Sequence, residues 1–193
     1  MPPPSSGGVH LVQMLQVLEA FPLADWGPNS QRAVHHMAEA MKRAYADRSR
    51  HLGDPDFHPV PVAELLSEAY TGRVQARIDP EDPTPSERIE PGELRQPRES
   101  PETTHFSIVD GQGNALSNTY TLNFSYGTGI LAEGTGILLN NEMDDFSAQP
   151  GVPNAYGLIG GEANAVEPGK RMLSSMTPTL VLKGGAVSLV TGS

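Results

Sequence analysis

The chain has 193 residues, 37% of them hydrophobic, with 23 acidic against 13 basic side chains and a net charge of −10. That length allows one large domain or two small ones around a substantial core, and the acidic balance excludes a basic surface that neutralises phosphates, so no nucleic-acid partner is expected. Cysteine is absent, which removes disulfides, thiolate catalysis and cysteine zinc sites together.

The opening MPPPSSGGVH lacks the basic and long apolar regions of a signal peptide, and no run of about 18 apolar residues is present to span a bilayer. Val9, Leu11, Val12, Met14, Leu15, Val17 and Leu18 surround most of a helical wheel, with Ser5 or Ser6 available as a cap. A first helix buried on several sides is expected. From Ser30, the positions Ala33, Val34, Met37, Ala38, Met41, Ala44 and Tyr45 follow helical spacing, while Arg32, Glu39, Lys42 and Arg43 fall largely on the other face. This predicts a second helix over about residues 30–50. After the loop GDPDFHPV, the residues Val62, Leu65, Leu66, Ala69, Tyr70 and Val74 predict a third.

Residues 1–78 thus form a helical unit. Residues 79–102 carry Pro80, Pro83, Pro85, Pro91, Pro97 and Pro101 with an acidic excess, which predicts an extended, mobile linker. From Thr103 the pattern becomes β-rich and stays so through 193. A hairpin runs from Thr104–Val109 through Asp110-Gly111-Gln112-Gly113 to Ala115–Leu122, Gly134–Leu139 is a short strand, and Thr179–Leu182 with Val187–Val190 turns at Gly184-Gly185. Residues 140–178 between them read mostly as loop, a length that usually carries function or disorder.

Thr103 opens an ordered strand behind a mobile segment. Were the bond before it cut, this one residue would supply both a hydroxyl nucleophile and an α-amine that titrates near neutrality. Strand-opening threonines are also common for purely structural reasons. Thr121 and Asn123 lie at period-two spacing on one strand and are expected to face the same side of the sheet. Asn140-Asn141-Glu142-Met143-Asp144-Asp145 puts three carboxylates in four residues, suited to a cationic amine or to solvent. The turn Leu173-Ser174-Ser175-Met176-Thr177-Pro178 offers hydroxyls and N–H groups to an anion, or is ordinary turn chemistry. His10, His35, His36, His51, His58 and His105 are scattered, which argues against a metal, and Gly127, Gly129, Gly134 and Gly136 lack the strand and helix of a dinucleotide fingerprint.

The collinear set TTHFSIVDGQGNA, TYTLN, GILLNNEMDDFSAQPGVPNAYGL, KRMLSSMTPT and VTGS, with PPPSSGG, AYADRS and LGDPDF upstream, resembles γ-glutamyltranspeptidase (glutathione hydrolase). The resemblance implies an α+β fold, part of the αββα sandwich of N-terminal-nucleophile hydrolases truncated at both ends. The chain would span the end of the large subunit and the start of the small one. Self-cleavage would separate Glu102 from Thr103. Thr103 would then attack γ-glutamyl amides such as glutathione, forming an ester released to water or to an amino-acid or peptide acceptor, with no cofactor.

By the same resemblance Thr121 would hydrogen-bond the nucleophile, Asn123, Glu142 and Asp145 would hold the substrate's α-amine, and Ser174 and Ser175 its α-carboxylate. Tyr156 matches the aromatic of a lid that pairs with the Asn123 position. The family's oxyanion-hole glycines would follow Ser193, and an arginine for the carboxylate would precede Met1. Relatives are periplasmic, secreted or membrane-anchored. The alternatives are a sibling amidase, such as a cephalosporin acylase or poly-γ-glutamate-processing enzyme, and a noncatalytic remnant.

Overall fold

The computed structural model describes residues 1–89, 103–153 and 159–193; Glu102 and Tyr156 lie outside them. Helix α1 spans Gly7–Leu18. Neither serine before it caps it in the usual way. The Ser6 hydroxyl donates to the Ser174 carbonyl at 2.9 Å and the Ser5 hydroxyl to the Met176 carbonyl at 2.7 Å, while Ser6 N–H donates to Ser174 O at 2.8 Å and Ser174 N–H to Pro4 O at 3.1 Å. The chain start is thereby laid against the serine turn. Gly7 permits the crossing: a Cβ there would stand 2.5 Å from the Met176 carbonyl oxygen and closer still to Thr177 Oγ1. Contrary to the expected burial on several sides, α1 buries Val9, His10, Gln13 and Val17 and leaves Val12 and Leu15 exposed.

A short helix α2, Leu23–Trp26, leads into α3, Gln31–His51, where the Ser30 hydroxyl accepts from Ala33 N–H at 3.2 Å as an N-cap should. Burial on α3 does not follow the apolar spacing throughout: Ala33 and Ala44 are buried, but charged residues are buried beside them. Glu39, Arg43, Asp47 and Arg48 are buried, whereas Val34, Met37 and Met41 are exposed. Partners distant in sequence are the reason, because a buried charge is tolerated only when paired and hydrogen-bonded. Glu39 accepts from Arg43 Nη1 at 2.5 Å, from Lys42, and from Thr84 N–H at 3.1 Å. Arg43 Nη2 donates to Arg77 O at 2.8 Å and Thr84 Oγ1 at 3.1 Å. Residues 79–89 of the expected mobile linker are therefore seated on α3, with Ile89 buried.

The expected third helix is two, α4 over Val62–Leu65 and α5 over Glu68–Gln75. Ser67 restarts it, its hydroxyl accepting from Tyr70 N–H at 3.2 Å. Asp47 joins α1, α3 and α5 by accepting from Gln13 Nε2 at 2.5 Å and from the Tyr70 hydroxyl at 2.6 Å. Two small apolar clusters complete the helical part, Val9 with Leu52, Leu65 and Leu173, and Val17 with Ala40, Val74 and Ile78.

The described strands form three separate antiparallel pairs: β1 Thr104–Val109 with β2 Ala115–Tyr120, β3 Leu131–Ala132 with β4 Ile137–Leu138, and β5 Thr179–Lys183 with β6 Ala186–Thr191. Gly184 and Gly185, at φ 58° and 82°, make the two-residue turn that matches strand twist. Ser117 sutures two hairpins, its hydroxyl donating to Thr191 O at 2.7 Å and accepting from Thr179 N–H at 3.0 Å. The chain is thus α+β, but the wide stacked sheets of a sandwich are not assembled from the described residues. Ile108, Leu116, Leu182 and Leu189 remain exposed on the hairpins.

Burial raises the Glu39 pKa, but the hydrogen bonds from Lys42, Arg43 and Thr84 outweigh it and hold the carboxyl at about 2. A depressed folded-state pKa stabilises above the unfolded value and loses that contribution as pH falls through the folded one. Glu39→Gln should lower stability at neutral pH by about 2 kcal/mol, since Arg43 keeps other acceptors. Its unfolding free energy should also fall less steeply than that of the unsubstituted protein between about pH 5 and pH 2. Parallel pH dependences in denaturant titrations would contradict this.

Candidate active site

Thr103 is exposed and immediately precedes β1. The β1–β2 register begins with the pair Thr104 and Tyr120, and Thr103 and Thr121 are the residues next beyond that pair on either side. The Thr121 hydroxyl accepts from Asn123 N–H at 2.9 Å. This small turn holds Asn123 at φ 74°, a left-handed conformation that asparagine tolerates better than most residues. Strand β2 has ended at Tyr120, so the alternation expected to carry Thr121 and Asn123 to one sheet face does not apply.

A turn, not a strand, aims Asn123. The residue is buried, and its Nδ2 donates to Asn141 O at 3.1 Å. Asn141 answers on both sides: its N–H donates to Leu122 O at 3.1 Å and its Oδ1 accepts from Phe124 N–H at 3.0 Å. Asn123 is thus locked to the entrance of the acidic turn, a 3-10 segment over Glu142–Asp145. Asn140 Oδ1 accepts from Glu142 N–H at 3.0 Å and opens that segment.

Burial pushes the Glu142 carboxyl above its usual range. Asp145 is pushed up to about 6, first by burial, then by the negative charge of Glu142, against the opposing pull of Arg48. Two acids close together with one cation near them favour a ligand that brings positive charge.

The serine turn stands opposite. Leu173 is buried and anchors it, Ser174 Oγ accepts from Met176 N–H at 3.2 Å, and Ser175 is exposed. Two side chains connect this turn to the acidic one. Asn164, buried, donates from Nδ2 to Asp145 O at 2.7 Å and accepts at Oδ1 from Leu173 N–H at 3.0 Å. Arg48 donates from Nη2 to Ser175 Oγ at 3.2 Å and interacts electrostatically with Asp145. Arg48, Asp145 and Asn164 share the lining of a cavity of about 320 Å³.

The structure therefore gathers Asn123, Glu142, Asp145, Ser174 and Ser175 into one linked set. Among the described residues Thr103 hydrogen-bonds none of them. The entrance to β1 is nevertheless beside the serine turn: the His105 ring packs against Gly192, and the next residue, Ser193, accepts from Thr177 N–H at 2.8 Å. Arg48 and Asn164 escaped the sequence reading. AYADRS entered the resemblance as a stretch with no role given to Arg48, and Asn164 sits in a loop already rich in asparagine and glycine. Together the groups can present a hydroxyl nucleophile, acidic acceptors for an ammonium, and hydroxyl donors for a carboxylate.

The family described as gamma-glutamyltranspeptidase matches residues 1–193. The chain is 58% identical over 193 residues to the glutathione hydrolase proenzyme of Escherichia coli strain K12, covering 100% of this chain and 33% of that protein. Identity to the acylase ACY 1 proenzyme of Pseudomonas sp. strain SE83 is 38%, over 99% of this chain and 32% of that one. The crystal structure of cephalosporin acylase from Bacillus halodurans has the same fold, with a TM-score of 0.73 over 98% of this chain and 31% of that chain at 23% identity. The chain spans about a third of the length of the curated relatives it matches, and it belongs to the γ-glutamyltranspeptidase family.

Proposed function

We propose that the protein carrying this chain is a γ-glutamyl hydrolase and transferase that matures by cutting itself between Glu102 and Thr103. The observation that carries the reading is the pairing of an ammonium-seeking turn, Asn123 with Glu142 and Asp145, with a carboxylate-seeking turn, Ser174 and Ser175. A γ-glutamyl group carries both an α-ammonium and an α-carboxylate on one carbon, and this set answers each with groups of the right polarity. In the whole protein the hairpins would belong to the αββα sandwich of N-terminal-nucleophile hydrolases, built from a large and a small subunit of one precursor. Tyr156 would act as a lid, and the helical part up to residue 78 would close the large subunit.

Maturation would begin with attack of Thr103 Oγ on the Glu102 carbonyl carbon. The C–N bond breaks as the acyl group moves to oxygen, and water then hydrolyses the ester, freeing the Glu102 carboxylate and the Thr103 α-amine. In turnover that amine takes the hydroxyl proton while Oγ attacks the γ-carbonyl carbon of the donor, and it returns the proton to the departing amine. Thr121, the residue next beyond the β2 end of the register, would hold the hydroxyl in place. Water or an acceptor amine then takes the γ-glutamyl group from the threonine ester. Glutathione is the proposed donor and amino acids or peptides the acceptors. Among the described residues no helix is long and apolar enough to cross a membrane, and a periplasmic or secreted location follows the family.

In the protein expressed at the full length of its relatives, Thr103→Ala should abolish both the split into two subunits and γ-glutamyl release. Two subunits on a denaturing gel from that variant would sink the proposal. Comparing γ-glutamyl with glutaryl amides separates it from a cephalosporin-acylase activity, because a glutaryl group has no α-amine for the acids to hold.

Asp145 must be ionised to hold the ammonium. Its pKa, pushed up to about 6, makes the KM for a γ-glutamyl donor rise as pH falls through that value. Asp145→Asn should have a KM raised at least tenfold, about 1.4 kcal/mol of lost binding, and without that step. A step persisting in the asparagine variant would assign it to another group.

A further inference from the structure

We infer that Arg48 is a positioning residue for the γ-glutamyl donor, one whose buried guanidinium aims the Ser175 hydroxyl at the donor's α-carboxylate and keeps Asp145 charged for its α-ammonium. The inference rests on the function proposed above and deepens it.

Arg48 lies near the end of α3 and is 6% exposed. Its Nε donates to Ser6 Oγ at 3.2 Å and its Nη2 to Ser175 Oγ at 3.2 Å. A guanidinium has five donors and no acceptor, so each of these hydroxyls receives a hydrogen bond and must send its own hydrogen elsewhere. Ser6 sends its hydrogen to the Ser174 carbonyl at 2.9 Å. Ser175 has no such internal acceptor among the described residues and is exposed. Its hydrogen is left for an incoming acceptor, the polarity a carboxylate requires. A neutral partner able to accept as well as donate would let Ser175 turn that hydrogen inward.

The same cation shares a cavity wall with Asp145 and opposes the rise that burial and Glu142 impose on its carboxyl. Asp145 faces Glu142 and Asp144 on its own segment and Arg48 from α3, while Asn164 contributes a neutral amide at its carbonyl. Arg48 is the only cation acting on this acid among those neighbours. Tyr45 and Asp145 support its charge against the cost of burial. His10 packs nearby but is held at about 3 by burial and then by Arg48 itself, so it is neutral at working pH and brings no second positive charge.

The test uses the full-length protein and a γ-glutamyl anilide donor, with KM and kcat measured across the range in which Asp145 titrates. Arg48→Lys keeps the charge but cannot span two hydroxyls. It should raise KM about tenfold with kcat little changed and leave the KM step near 6. Arg48→Gln should raise KM and also move that step up by about one pH unit, because removing a nearby cation raises a carboxyl pKa. In a Ser175→Ala background, Arg48→Lys should add less than about twofold, since the hydroxyl it aims is gone.

An unaltered KM in Arg48→Lys would overturn the inference, as would an unmoved step in Arg48→Gln. An equal KM penalty with and without the Ser175 hydroxyl would reduce Arg48 to a structural role and overturn it too. Should Arg48→Gln not fold, the lysine variant in the two backgrounds decides alone. No γ-glutamyl release by the unsubstituted protein would dismiss the function itself, an outcome distinct from any of these.

Discussion

A guanidinium buried near the end of α3 is the constraint on which the site depends. Taking a full charge out of water costs several kcal/mol unless its hydrogen-bonding capacity is met, so Arg48 obliges other parts of the chain to come to it. Ser6 arrives from 42 residues away and Ser175 from 127, and Asp145 supplies the countercharge. Each of these lies in a turn or chain start that has little structure of its own. Backbone bonds between Ser6 and Ser174 and the Asn164 bridge then hold the three segments on one surface.

The rest of α3 follows the same logic. Glu39 and Arg43 draw residues 77–84 onto the helix, and Asp47 holds α1 and α5 through Gln13 and Tyr70. The helix is a polar spine, and its apolar stripe of Val34, Met37 and Met41 faces outward with the hairpin residues Ile108, Leu182 and Leu189. Large exposed apolar surfaces mark contacts with other protein.

What the sequence made legible was local. Both longer hairpins could be read because a turn signal, Asp-Gly or Gly-Gly, lies between alternating residues, and their register needs nothing from elsewhere. The acidic and serine turns were visible as clusters of like chemistry. The inward face of α3 was not legible, because periodicity separates two faces of a helix without saying which one is buried. Charged residues reverse the usual preference only when partners such as Thr84 and Arg77 O are delivered some 40 residues later in sequence. The break at Ser67 was hidden for a related reason: apolar spacing continues through it, and only the cap to Tyr70 N–H shows that a new helix begins. The position of Asn123 was not legible either, since a left-handed turn rather than strand alternation brings it to the acidic turn.

The placement of both binding turns in irregular backbone also has a physical sense. An ammonium and a carboxylate on one carbon are separated by less than the spacing of neighbouring strands, and two rigid ladders offer side chains only at fixed pleat positions. Turns pinned by side-chain hydrogen bonds escape that grid. Asn164 fixes the distance between them through backbone atoms, Asp145 O on one side and Leu173 N–H on the other, so this link uses no carboxylate or hydroxyl of either turn. Arg48 then gives the two turns opposite characters. It supplies one positive charge against the three carboxylates of residues 142–145, too little to neutralise them, and one hydrogen bond into a serine whose own hydrogen stays free. An excess of negative charge on one side and a hydroxyl donor on the other is the polarity that the proposed γ-glutamyl group requires, and an amide lacking the α-amine would meet only half of it.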